Sequence, residues 1–148
     1  MADIKAITQT VEVALSAGVP KTVLQIVAAA NHKVKVSSWG VFFDGTSPTA
    51  EPVQVVLMRQ TTAGTMSAAT PVKKGTDAET LQTTAQYNAT VEPTAGDILD
   101  VIEVHPQSGY EKIFSFGDEI KIGGGGRLAI QCNAPAGVNV RSKMEFEE

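Results

Sequence analysis

Val138, Val140, Ser142, Met144 and Phe146 alternate with Asn139, Arg141, Lys143, Glu145 and Glu147. Small or apolar side chains at every second position, with polar ones between, predict a strand over 138–147 that has one dry and one wet face. The same alternation recurs upstream. Val53, Val55 and Leu57 oppose Gln54 and Arg59, and Leu128, Ile130 and Cys132 oppose Ala129, Gln131 and Asn133. Strands are predicted over 10–15, 22–29, 33–43, 53–60, 98–105, 110–116, 119–122, 127–133 and 138–147. Trp39-Gly40-Val41-Phe42-Phe43 is apolar on both faces and predicts the most central strand. Gly40 within it marks a bulge or a close backbone approach. The run Ile98–Val104 alternates poorly, which points to a second bulge.

Clusters of Gly, Pro, Asn and Asp bound most of these runs, as expected of an all-β sandwich or barrel. The longest stretch without a strand signal is Thr61 to Pro93. Its first part, Thr61 to Pro71, is small and neutral like a long hairpin tip, and Asp77 is placed to cap a short helix running to Thr84, with Glu79 in its first turn. A connection of that length predicts a functional or interfacial role. At the N-terminus, Ile4, Ile7, Val11 and Leu15 fit a helical stripe, whereas Thr10–Leu15 fits a strand; the β-branched residues favour the strand. The chain therefore divides into residues 1–19, an N-terminal arm or first strand, and residues 20–148, a single β-sandwich domain.

Bulk properties narrow the function classes. The 148 residues suffice for one core, and 43% hydrophobic against 19% charged residues is an ordinary globular balance. A net charge of −4 argues against non-specific nucleic-acid binding. From Asp77 to Glu119 there are nine acidic residues and one base, Lys112, which reads as solvated loop carboxylates. Cys132 stands alone, so no intrachain disulfide can form. Pro20 and Lys21 interrupt the most apolar stretch, arguing against a membrane span, and Met1–Ile7 lacks the pattern of a secretory signal. Without such a signal, the Asn88-Ala89-Thr90 sequon reads as accidental, and the expected compartment is a reducing one.

No catalytic constellation emerges. Gly123–Gly126 leads into the strand Arg127–Ile130 where a phosphate loop would need Gly-Lys-Ser/Thr and a helix, so it reads as a hairpin turn. His105 stands two residues from Glu103, but no further ligands appear at metal-site spacing. His32 is remote from both. Cys132 falls in a core row, and Asp100 with Glu103 is the kind of carboxylate pair any acidic β protein offers. The lysines of His32-Lys33-Val34-Lys35-Val36 read as the wet face of a strand. Trp39, Phe42, Phe43, Phe114 and Phe116 fall inside apolar strands, which leaves mainly Tyr87 and Tyr110 for a sugar-binding surface. Catalytic, cofactor-binding and metal residues are expected to be none.

Longer stretches carry a resemblance. Val34–Ser47, Pro52–Thr65, Glu92–Asp97, Gly123–Ile130, Ala134–Ala136 and Phe146–Glu148, taken in this order, resemble small virion proteins of tailed bacteriophages and prophages, of the capsid decoration (cement) type. The similarity spans nearly the whole chain, and its motifs are turns and core strands. It implies a jelly-roll-like antiparallel β-sandwich with an N-terminal arm and one long loop carrying a short helix. It further implies a non-enzymatic protein on the outer capsid surface of the virion, made in the bacterial host cytoplasm. Its partners would be the major capsid protein of the same phage and itself, as a homotrimer, with no nucleic acid, membrane or cofactor. Other readings are a head-fibre base or tail-surface module, and a carbohydrate-binding β-sandwich. The contact segments expected for assembly are Ala2–Gly18, through Ile4, Ile7, Val11 and Val13, and Thr61–Pro93, through Thr65, Met66 and Tyr87.

Overall fold

The computed structural model describes residues 3–76 and 78–148. Among these residues there is no helix. The chain forms β1 (Lys5–Gln9), β2 (Val13–Leu15), β3 (Lys21–Val27), β4 (Val34–Phe43), β5 (Val53–Gln60), β6 (Thr65–Ala69), β7 (Val72–Lys73), β8 (Thr84–Val91), β9 (Ala95–Val104), β10 (Gly109–Ile113), β11 (Ile120–Ile122), β12 (Arg127–Asn133) and β13 (Val138–Glu147). Two antiparallel sheets result, arranged as a sandwich. Sheet A runs β10-β4-β13-β1-β7, with β11 also on β4 and β2 also on β13; sheet B runs β6-β8-β3-β12-β5-β9. The pairing is nested, because β1 bonds β13, β3 bonds β12, β4 bonds β10 and β11, and β5 bonds β9.

Alternation explains the two layers. Val140, Ser142, Met144 and Phe146 of β13 are all buried, as are Val34, Val36, Trp39 and Val41 of β4, and they face Leu24, Ile26, Val53, Val55, Leu57, Leu128, Ile130 and Cys132 of sheet B. A one-residue slip would turn each row toward water, so the apolar rows fix the register. The outer face of sheet A is charged. There Lys35 pairs with Glu147 at 3.0 Å, Lys74 with Glu145 at 2.6 Å and Lys143 with Glu111 at 2.7 Å.

Several expectations need correction. Of the strand expected over 10–15 only Val13–Leu15 forms, as β2, and a further strand, β1, precedes it at Lys5–Gln9; both lie in sheet A, where Ala6, Thr8, Val13 and Leu15 are buried. The segment Thr61–Pro93 is not one long loop, since it supplies β6, β7 and β8. The short helix over 77–84 is absent from the described residues: 78–83 are irregular and β8 begins at Thr84, while Asp77 lies outside the description. β4 is one strand in from an edge, and β13 takes the centre of sheet A. Gly40 sits at a close approach, where a Cβ would meet the Tyr110 carbonyl at 3.2 Å and the Phe42 ring at 3.3 Å. The bulge in β9 is present, with the register shifting opposite Leu57/Met58. Gly123–Gly126 does not close a hairpin, because β11 belongs to sheet A and β12 to sheet B.

One feature of sheet B has no counterpart in the sequence reading. From β8 to β9 the chain must pass over β3, β12 and β5. Residues 92–94 make this strap. The Glu92 carboxylate accepts hydrogen bonds from the Thr22 amide at 2.7 Å, the Thr22 hydroxyl at 2.6 Å and Gln131 Nε2 at 3.1 Å. On the outer face of sheet B, Gln25 Nε2 donates to Gln60 Oε1 at 2.6 Å, and Gln60 Nε2 donates to Thr22 Oγ1 at 2.8 Å, all three residues being buried. Gly64, at φ 60, lets the turn after β5 touch the strap, because any Cβ there would collide with the Val91 carbonyl and meet Pro93 N at 2.8 Å.

Candidate functional site

The chain exposes ten large hydrophobic residues among those described, several of them on or beside the edge strands β9 and β10. Phe42 and Ile113 lie on the outer face of sheet A, with Phe116 beside Lys74 and Glu145 on that side, whereas Ile98 and Val101 lie on the outer face of sheet B. Exposed apolar groups gathered on one face mark interaction surfaces, whereas scattered single residues do not.

Local backbone chemistry explains the most exposed of them. After β10 the chain reverses through Ser115-Phe116-Gly117-Asp118, closed by the Asp118 amide on the Ser115 carbonyl at 2.9 Å. Gly117 adopts φ 95, which permits a type II turn and puts Phe116 at the apex. Phe116 is 98% exposed. The Glu119 carboxylate braces this turn by accepting the Gly117 amide at 2.8 Å. Its own amide, with that of Gly117, holds the carboxyl below the usual Glu range against the opposing effect of desolvation. Ile113, opposite Ser38 in the sheet, is 75% exposed on the same outer face as Phe42.

β9 is an edge strand of sheet B. Its strand partner on one side is β5, and on the other it has none among the described residues. Asp100, Ile102 and Val104 lie opposite the core residues Leu57, Val55 and Val53, whereas Val101 and Glu103 lie opposite Val56 and Gln54 on the outer face. Between β9 and β10 runs a groove of about 430 Å³, bordered by Leu99, Arg59 and Phe114 and bridged by Lys112–Asp100 at 3.3 Å.

A larger cleft of about 680 Å³ lies where the loops after β2, β4, β9 and β12 meet. Its chief anionic group is already engaged. Asp44 accepts the Asn139 side chain and amide at 3.0 Å each, which holds it below the ordinary Asp range.

The residues singled out in the sequence are dispersed. Asp100 points toward the groove and Glu103 to the outer face, so they form no acid pair. The His105 Nδ1 accepts the Gln107 amide at 3.1 Å in a turn. No group of three or more His, Cys, Asp or Glu able to hold a metal occurs among the described residues. Cys132 is fully buried, and desolvation pushes its thiol far above the ordinary range. Tyr110 is half-buried with its ring 5.5 Å from that of Trp39, and Tyr87 is half-buried against the core, so neither is a free stacking platform.

The expected assembly residues divide similarly. Ile4 and Val13 are buried in the sandwich, which removes them from any surface contact. Ile7, Met66 and Tyr87 are half-buried, Thr65 is exposed on β6, and Val11 is 60% exposed between β1 and β2. Phe116, assigned from sequence to a strand interior, lies outside the strand altogether. The Gly117-Asp118 pair was the signal for this, since a turn there puts the preceding residue at its apex.

No family model, curated protein or solved structure matches this chain.

Proposed function

We propose that this chain is a non-enzymatic virion structural protein that decorates the outer surface of a tailed-phage capsid and stabilises it by bridging coat subunits. The observation that carries this reading is the exposed apolar set on the outer side of sheet A, Phe42, Ile113 at 75% and Phe116 at 98% exposure. Apolar groups this exposed on one face are suited to docking on a larger surface. The resemblance of the turns and core strands to capsid decoration proteins supplies the kind of surface.

The finer topology belongs to the same proposal. Pairing first strand with last, and so inward, is how a jelly roll winds one long hairpin into two sheets. β1-β13-β4-β10 and β3-β12-β5-β9 follow that order, with β6, β7 and β8 inserted between β5 and β9. In this reading Phe116 and Ile113 seat on the coat, and copies related by symmetry, a trimer in the simplest case, multiply modest contacts into a stable bridge.

The test is the heat-disruption temperature of expanded, undecorated heads of the same phage, measured with and without the protein. Binding to the intact shell alone raises that temperature by linkage. The expected result is a rise that saturates with added protein; an unchanged temperature at saturating protein contradicts the reading.

A further inference from the structure

We infer that the cleft where the loops after β2, β4, β9 and β12 meet binds a basic side chain, lysine or arginine, presented by a segment of a partner protein. This goes beyond the capsid reading and stands apart from it, because neither Phe116 nor Ile113 lines the cleft.

The cleft has the size and rigidity of a binding site. Its volume is about 680 Å³, and ligand pockets commonly span about 300–1,000 Å³. Leu15 and Val53, both buried, line it together with Pro106 and Val138, which gives it aliphatic walls. The loops are tied to one another. The Gly45 amide donates to the Pro106 carbonyl at 2.7 Å, joining the loop after β4 to the loop after β9. The Gly18 amide donates to the Ala134 carbonyl at 2.8 Å, joining the loop after β2 to the loop after β12. A cleft braced in this way loses little freedom when it is filled.

Charge selects the occupant. Two carboxylates, Asp44 and Glu51, line the cleft, and among the described residues no lysine, arginine, histidine or aromatic residue does. A third carboxylate, Glu12, hydrogen-bonds Asp44 from the segment between β1 and β2. The four ion pairs among the described residues are Lys35–Glu147, Lys74–Glu145, Lys112–Asp100 and Lys143–Glu111, and none uses these three groups. The donors that Asn139 aims at Asp44 are neutral, so they fix the carboxylate and favour its ionised form without cancelling its charge. An ionised carboxylate has about four acceptor sites, which leaves room for a cation. Aliphatic walls beside uncancelled negative charge match a side chain with a methylene stem and a cationic head. An anion is repelled, and a neutral sugar finds no aromatic face to stack on. The rim at Thr46, Ser47 and Pro135–Gly137 is exposed, so the backbone on either side of an inserted side chain can lie along it.

The test is a titration of the full chain followed by proton–nitrogen correlation NMR. The probes are acetyl-Ala-Ala-Arg-Ala-Ala-amide, its lysine counterpart, its neutral citrulline counterpart, and n-butylguanidinium as the free side chain. The expected result is saturable shifts at Gly45, Gly137 and Asn139 with either basic peptide, at an affinity about tenfold or more above that of the citrulline peptide and of n-butylguanidinium. Glu51→Gln, Asp44→Asn and Ala136→Lys should each weaken the arginine peptide by about threefold or more, the last by placing the chain's own cation at the rim. Glu51 and Ala136 are exposed, so their variants test the inference even where Asp44→Asn disturbs its loop; an unchanged spectrum away from the cleft shows that each is folded. Raising salt from about 20 mM to about 0.5 M should weaken binding further, as screening grows. No saturable shift at these amides with about 10 mM peptide overturns the inference. Equal affinity for the citrulline peptide, or unchanged affinity in both Glu51→Gln and Ala136→Lys, overturns it as well. So does n-butylguanidinium binding as tightly as the peptide, which would assign the cleft to free organic cations.

Discussion

The polar network under the strap shows at single-residue level how much depends on completed hydrogen bonding. Gln60 donates to Thr22 Oγ1 and accepts from Gln25, while Arg127 donates to Gln25 Oε1 at 3.0 Å. Gln60→Leu removes both bonds, while Gln25 Nε2 keeps the Thr62 carbonyl at 3.3 Å and Thr22 Oγ1 keeps Glu92, so the loss is that of the two bonds, about 0.5–1.5 kcal/mol each. The expected outcome is an unfolding free energy lowered by that amount, read as a lower urea midpoint at unchanged slope. Cys132 offers a sharper check. Buried and held in the thiol form, it should react with an aromatic disulfide reagent only after denaturant unfolds the chain. At the other extreme, Phe116 touches so little that Phe116→Ala should leave the unfolding free energy within about 0.5 kcal/mol of wild type.

The C-terminal carboxylate cluster gives a pH dependence. Burial raises the Glu148 side chain, but the Thr83 hydroxyl and the amides of Gln82 and Thr83 outweigh it and hold the folded value below the ordinary range. A depressed carboxylate adds stability above its unfolded value, about 4.3, and that stability is lost as pH falls through the folded value. The group is half-buried, and solvent screening reduces the effect. Urea midpoints should fall from pH 6 to pH 3, and Glu148→Gln should flatten part of that fall.

Elements differ in how clearly the sequence announced them. β3, β4, β5, β12 and β13 stood out because Val, Ile, Leu, Phe and Met occupy their inward positions, and burial of such side chains dominates the pattern. β8 has an equally regular period of two in Ala85, Tyr87 and Ala89, but alanine buries too little surface to register as a hydrophobic row. β6 and β7 are small, exposed or very short, and tertiary pairing makes them strands. The exposed apolar set was missed for the opposite reason. Phe116 and Ile113 are large and apolar, which reads as core; the left-handed turn at Gly117 turns Phe116 outward, and the β10 register opposite Ser38 turns Ile113 outward. β1 shows the consequence most directly. A detachable arm would tolerate deletion, whereas β1 lies between β13 and β7, and β2 also bonds β13. Deleting residues 2–15 should therefore abolish cooperative thermal unfolding, where a free arm would leave the transition intact.

For the whole molecule, the proposed function assigns the exposed turn at Phe116, with Ile113, to contact with the coat. Burying one Phe or Ile side chain contributes about 1.5–3 kcal/mol, and every 1.4 kcal/mol is a factor of ten in affinity. The most direct measurement is a co-sedimentation isotherm of the protein on expanded, undecorated heads, comparing wild type with Ile113→Ser/Phe116→Ala. The account predicts saturable binding by the wild type and affinity lower by at least about tenfold for the variant, with both proteins equally stable. Absence of wild-type binding, or an unchanged isotherm for the variant, would contradict it.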